Sequence, residues 1–377
     1  MAGPKKSVAL SGIAVADTSI CSIDPDEGVL MYRGYDITEL AEHSTYEEVA
    51  YLLVEGDLPS PEQLSEFAEQ LAEARSLPPA VVTIVDGNAM DASPMETLRT
   101  AVSALSFADP AESATDPEHE HRKAIDLIAK LPTIIARYER RRRGRPAIDP
   151  DPSLGYAENF LTMLRGEEPA EREARAFEVA MILHAEHEMN ASTFTARVVA
   201  GTNADLHSAI VAAICALKGP LHGGANQAAM RVFEEFGSAE RVPDGVRARL
   251  EQRKPLYGFG HPLYRAMDPR VPILRELTEE FADESEPDYL AIAKAAEREA
   301  REQKGLWPNV DLYSGVLYHY LGLPTDLFIP LFQMSRVAGQ AAHVLEQHAG
   351  GKIIRPSAEY VGEPRRPYPV GEREAVS

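Results

Sequence analysis

The segment Gly258-Phe259-Gly260-His261-Pro262-Leu263-Tyr264-Arg265-Ala266-Met267-Asp268-Pro269-Arg270 gathers residues able to move a proton and hold an anion. Histidine shares a proton near neutral pH, and arginine's planar fork suits carboxylates and phosphates. Gly258 and Gly260 let the main chain bend and let a ligand approach it closely. Pro262 and Pro269 forbid one smooth helix, so His261 is expected on a shaped loop. Taken alone, the segment reads equally well as a turn with a surface histidine and two solvated arginines.

Two other positions invite chemistry. His222 follows the break Lys218-Gly219-Pro220 and precedes Gly223-Gly224, where a new helix is expected to begin. The positive end of that helix disfavours an imidazolium, and a neutral imidazole is a good donor to a developing oxyanion. The alternative is a loop histidine between packed helices. Asp311 lies in Trp307-Pro308-Asn309-Val310-Asp311, beside the single tryptophan. Partial desolvation there would raise its pKa and make it a stronger base, while a helix N-cap is the structural alternative.

His184 and His187 stand three apart in a stretch expected to be helical from Pro169 to about Ala200, which would put them on one side. The letters His-Ala-Glu-His-Glu fit no zinc-protease motif, and no cysteine cluster supplies more ligands, so no metal is expected. Arg336 stands on a mostly apolar helical background and needs a partner. The basic run Tyr138 to Arg145 could touch a phosphorylated ligand, but a helix C-terminus that favours cations explains it as well. No Walker loop, dinucleotide fingerprint, serine elbow or internal repeat is present.

The elements that must position these residues are mainly helical. Short strands are expected over residues 8–33, with a turn at Asp24-Pro25-Asp26. Helices are expected from Thr45 with a capping box to Glu48, from Ser60-Pro61, from Ser93-Pro94, and from Pro117 to Arg143 with a bend at Pro132. Further helices run over Leu206–Leu217, from about Asn226 to Phe236, over Pro272–Phe281 and Tyr289–Glu302, and through Leu327–His348. The tail from Gly350 is irregular.

The 377 residues suffice for two packed domains. No apolar run is long enough to span a bilayer. Lys5-Lys6 followed by Val8 to Ala16 imitates a signal peptide, but Ser11-Gly12 interrupts it, and a strand is the preferred reading. Cys21 and Cys215 are too few for a disulfide framework, which fits a reducing cytoplasm. The net charge of -21 argues against nucleic acid or an anionic membrane as partner. With 9 Lys against 29 Arg, the carboxylate excess is not an interleaved ion-pair surface, and a high-salt cytoplasm is expected.

Together these residues resemble the citrate synthase family. The likeness rests on His184-Ala185-Glu186-His187-Glu188-Met189-Asn190-Ala191-Ser192-Thr193, Gly219-Pro220-Leu221-His222-Gly223-Gly224-Ala225-Asn226, the segment Gly258 to Arg270, and Trp307 to Asp311. Arg336 and Ile354-Arg355-Pro356 follow in the same order, and the likeness runs from about Ile13 to Arg355. Leu263 stands where the family more often has Val or Ile, a small swap.

The resemblance implies a mainly α, two-domain fold: a large domain from residues 1–223 and 326–377, a small one from 224–325, and the site in the cleft between. It implies that Asp311 removes a proton from the acetyl-CoA methyl. His222 would stabilise the enol or enolate, and His261 would donate to the ketone of oxaloacetate. Citryl-CoA would then be hydrolysed to citrate and CoA. His187, Arg270, Arg336 and Arg355 would hold carboxylates, with Arg355 reaching the partner's site in a homodimer. Pro255, Leu256, Tyr257, Gly258 and Phe259 would wrap the CoA adenine, with Arg265 and Lys304 near phosphates. Where the family has a basic CoA contact before the long helix, Glu112, Asp116 and Glu118 stand, so that contact is expected to be absent or supplied elsewhere. No permanently bound cofactor is implied; acetyl-CoA is a co-substrate. A 2-methylcitrate synthase using propionyl-CoA would employ the same residues. A non-catalytic sensor of CoA or dicarboxylates would be expected to lack the base or a histidine, and this chain retains them.

Overall fold

The computed structural model describes residue 10 and residues 13–90, 92–282 and 287–368, the side chain of residue 88 excepted. Its β content is one small antiparallel sheet, Cys21–Asp24, Val29–Tyr32 and Tyr35–Asp36, with Cys21 opposite Tyr32 and Tyr32 opposite Tyr35. Residues 13–18 form no strand, and residues 8, 9, 11 and 12 of the expected N-terminal strand lie outside the described residues, as do Lys5-Lys6. The strand expectation at Ile13 and Val15 is therefore corrected: these residues line cavities and join no sheet among the described residues.

Sixteen α-helices follow among the described residues. Local chemistry sets many of their starts. Thr45, Ser60 and Ser93 cap Tyr46–Glu55, Pro61–Ala74 and Pro94–Leu105 with complete capping boxes, the last two having proline in the first turn. Asp116 caps Pro117–Arg142, a helix of 26 residues that carries Pro132 inside it. The helices Ile37–His43, Pro79–Asn88, Tyr156–Arg165 and Val242–Glu251 were not individually legible in the sequence. The basic run ends the long helix: Arg141 faces Asp86, Arg142 meets Glu139 and Asp326, and Arg143 meets Glu139. These pairs account for it structurally.

The helix Phe328–Gly350 is the axis of the packing. It lies against Tyr46–Glu55, Pro117–Arg142, Glu171–His184, Ala191–Ala200 and Leu206–Leu217, and touches Gly224–Phe236. Gly224–Phe236, Arg270–Phe281 and Tyr289–Lys304 each pack on Val310–Tyr320, and Val242–Glu251 packs on Tyr289–Lys304. No described helix is long and apolar enough to cross a membrane.

One expected helix is really two. Glu171–His184 stops, Ala191–Ala200 begins after Asn190, and Glu188 between them has φ 52°. Asn190 caps the second helix by accepting from the N–H groups of Ser192 and Thr193. His184 and His187 are thus not a helical i,i+3 pair. The break places His187 on the loop between the two helices.

Candidate active site

Six stretches of the chain meet around a cavity of about 780 Å³. Its walls include His187, His222, His261, Arg270, Asp311 and Arg336, all six expected from the sequence. Leu221, Leu263 and Ile13, three of the more exposed large apolar side chains, stand at its edge.

His261 and Asp311 are brought together by a two-segment ladder. Gly260 N–H donates to Trp307 O at 2.8 Å, and Asn309 N–H donates to Gly258 O at 3.0 Å. Phe259 and Pro308 form the bridge between them. Gly258 and Gly260 have φ of 85° and 74°, and a Cβ on Gly258 would sit 3.1–3.3 Å from Leu312. Both glycines are therefore required by the backbone path. Asn309 also caps Val310–Tyr320, accepting from Asp311 N–H at 3.0 Å. The cap is Asn309 and not Asp311, which frees the Asp311 carboxyl to face the cavity.

The imidazoles are oriented by donors that cannot accept. Leu263 N–H and Tyr264 N–H approach His261 Nδ1 at 3.1 and 3.4 Å, so the ring carries its proton on Nε2. Ser192 N–H approaches His222 Nε2 at 3.2 Å, so this ring carries its proton on Nδ1. Burial lowers both pKa values to about 4, with Arg336 adding to the effect at His222 and Arg270 at His261. Both rings are neutral donors near neutral pH. His187 Nε2 lies 3.1 Å from the Tyr264 hydroxyl, and its ring is 5.0 Å from that of His261. Burial, then Arg270, holds its pKa well below the usual value.

Asp311 behaves oppositely. Its Oδ1 is buried without a protein partner, and desolvation raises its pKa to about 7. Asp268 reinforces that rise, while Arg270 and Arg336 oppose it.

The two buried arginines of the cavity wall differ in kind. Arg270 is clamped by Asp268, through Nε at 2.9 Å and a terminal nitrogen at 2.7 Å. Arg336 gives its Nε–H to His184 O and lies over the Phe332 ring at 4.7 Å, and it forms no ion pair among the described residues. Glu186 opposes its charge only from beyond ion-pair distance, and a buried guanidinium without a direct counter-ion calls for an anionic ligand.

The remaining expected residues lie elsewhere. Arg355 is exposed and lines an adjoining crevice of about 860 Å³ with Arg197, Glu346 and Lys352, so it does not enter its own chain's cavity. Pro255 and Lys304 are exposed; Leu256, Tyr257 and Phe259 are half-buried on the loop leading to His261. Arg265 is also exposed, 2.6 Å from Asp26 at the tip of the first β-hairpin. No cluster able to hold a metal is found among the described residues, and His184 is a core residue, its Nδ1 on Ala180 O.

Sequence reasoning gave no role to Ser192, Tyr264, Asp268, Asn309 or Gln340, all of which touch this framework. One signal was available. Gln333, Arg336, Gln340, His343 and Gln347 recur at spacings of three and four along one helix and are all buried. A polar stripe at that period inside an apolar helix marks a built network.

The family profile described as "Citrate synthase, C-terminal domain" matches residues 9–357. The chain belongs to the citrate synthase family. It is 43% identical to citrate synthase of Haloferax volcanii, over 97% of this chain and 98% of that one. It is 40% identical to 2-methylcitrate synthase of Shewanella oneidensis, over 97% of each. Among solved structures, it superposes with a TM-score of 0.91 on the Thermoplasma acidophilum citrate synthase, described as a ternary complex with carboxymethyl coenzyme A and oxaloacetate; identity is 32%, covering 97% of this chain and 98% of that one. Citrate synthases are mainly helical enzymes of acyl transfer, and the helical architecture found here is theirs.

Proposed function

We propose that this chain condenses acetyl-CoA with oxaloacetate and hydrolyses the resulting thioester to citrate and CoA. The observation that carries the reading is the opposition in one cavity between Asp311, an unpartnered carboxyl with pKa near 7, and two neutral imidazoles whose donor nitrogens are dictated by backbone N–H groups. Asp311 removes a methyl proton from acetyl-CoA. His222 donates from Nδ1 to the thioester oxygen as charge develops there. The resulting enol carbon attacks the ketone carbon of oxaloacetate, and His261 gives its Nε2 proton to the ketone oxygen. Water then cleaves the thioester, releasing CoA as a thiol.

His187, Arg270 and Arg336 hold the dicarboxylate. A molecule of net charge -21 repels such a substrate, and the buried guanidinium of Arg336 supplies the local attraction. Pro255 to Phe259, Arg265 and Lys304 form the CoA surface; Arg265 exchanges Asp26 for a phosphate. Arg355 completes the site of a second copy in a homodimer. The exposure of Arg355 and its separation from its own chain's cavity support this. Residues 224–325 form a small domain that closes on the large one, made of 1–223 and 326–377, and the mixed origin of the cavity walls supports that division. The enzyme works in a cytoplasm of high salt.

A thiol-release assay with oxaloacetate and acetyl-CoA in molar KCl tests the reading. Release is expected; none with either acetyl-CoA or propionyl-CoA overturns it. A preference for propionyl-CoA would assign the 2-methylcitrate reaction, for which the Shewanella oneidensis relative is the motive. One methylene is worth only about 1–3 kcal/mol of discrimination, set by the pocket's shape.

A further inference from the structure

The polar stripe of the helix Phe328–Gly350 reaches the candidate site at a point other than Arg336. Gln340 is fully buried, and its Nε2 donates to Ser192 Oγ at 3.2 Å. Its Oε1 accepts from Gln333 Nε2 at 2.7 Å. Gln333 is fully buried too, seven residues and two turns earlier on the same face. In the structure the Gln340 carbonyl faces Gln333 and its amino group faces Ser192.

Ser192 Oγ lies 2.9 Å from His222 Nε2 and 2.8 Å from Asn190 Oδ1. Its one hydroxyl proton has two candidate acceptors. Asn190 Oδ1 already takes the N–H groups of Ser192 and Thr193 at 3.1 Å each. The Gln340 amino group fills one of the two lone pairs of Ser192 Oγ, which favours a hydroxyl that donates to His222 Nε2 over one that accepts from it. The donors then run one way: Gln333 to Gln340, Gln340 to Ser192, Ser192 to His222. Aligned donors polarise one another in a dry interior.

We infer that Gln340, held by Gln333, is a positioning residue that acts through the Ser192 hydroxyl to keep the His222 proton on Nδ1. This rests on the reading of His222 as a neutral donor. The Ser192 backbone N–H favours that tautomer, and the Gln340–Ser192 pair reinforces it by turning the hydroxyl proton toward Nε2.

The test compares the full-length protein with Gln340→Met, which keeps length and apolar volume but removes the donor. The readouts are ¹⁵N chemical shifts of the two His222 ring nitrogens, and steady-state kinetics. Wild type is expected to show one tautomer; Gln340→Met is expected to show a mixture. Its kcat should fall roughly tenfold, the scale of one hydrogen bond, with KM for oxaloacetate unchanged. Gln333→Met should give a weaker version of the same pattern. A single unchanged His222 tautomer with unchanged kcat in a folded Gln340→Met protein overturns the inference. If Gln340→Met does not fold, Ser192→Ala provides the same ¹⁵N readout, and an unaltered tautomer there overturns it equally. Loss of the underlying reading would look different: a His222→Ala variant would then turn over at the wild-type rate.

Discussion

Asn309 Nδ2 donates to Gly260 O at 2.8 Å, fastening the residue two before Asp311 to the residue immediately before His261. The same side chain accepts from Asp311 N–H through Oδ1. One amide therefore sets the distance between the carboxyl and the imidazole across two loops that lie about fifty positions apart in the chain. Asn309→Ala should lower kcat by roughly tenfold to a hundredfold, since small displacements of reacting groups cost that much. Loss of the cap should also reduce stability by about 1 kcal/mol. Steady-state kinetics with a denaturant titration measures both; wild-type kcat would show that the ladder alone holds the geometry.

Asp311→Asn should retain oxaloacetate binding while condensation falls by roughly 10²–10⁴-fold. Near-normal turnover would assign the base elsewhere.

The pKa of about 7 at Asp311 gives a pH dependence with a definite sign. The base works ionised, so the rate of the free enzyme should decline as pH falls through about 7. Stability runs the other way. A carboxyl whose folded pKa is raised favours folding when protonated, and that contribution is lost as pH rises from the ordinary carboxylate range through about 7. Asp311→Asn should therefore melt at a higher temperature than wild type at pH 8, with the gap closing toward pH 4. Equal melting temperatures at pH 8 would contradict the buried, charged carboxylate.

Gly339 faces the loop that carries His187. A Cβ there would stand 2.1 Å from Glu186 Oε2 and 2.5 Å from Ala185 O, and Glu186 is fully buried beside His343. Gly339→Ala should destabilise by about 1–3 kcal/mol, the usual range for overpacking. It should also raise KM for oxaloacetate, because the loop must shift. Calorimetry and initial rates test this, and an unchanged KM would mean that the loop moves without disturbing His187.

Salt should stabilise the protein. At ~1 M the Debye length is about 3 Å, short enough to screen the self-repulsion of a net charge of -21. The melting temperature is expected to rise from millimolar to molar KCl, and a flat response would remove the high-salt expectation.

What could be read without coordinates was local. The capping residues at Thr45, Ser60 and Ser93, the small β element, and the long helices at 117 and 328 follow from short-range hydrogen bonding and apolar period. The chemistry of His222, His261, Asp311 and the arginines was legible in residue type and in motif order. Other features depended on distant partners. The break after His184 is invisible to periodicity, because Tyr32 enforces it from the sheet: its hydroxyl bonds to Ile182 O, Glu186 O and Glu186 N–H. The donor nitrogen of each imidazole was set by contacts made in the folded chain, from Ser192 for His222 and from the N–H groups of Leu263 and Tyr264 for His261. The pKa of Asp311 was decided by burial, which no neighbour in sequence supplies alone. Sequence by itself determines which groups can bond; the desolvation and the partners that make one carboxyl a base and two imidazoles neutral donors exist only once helices far apart in the chain have packed.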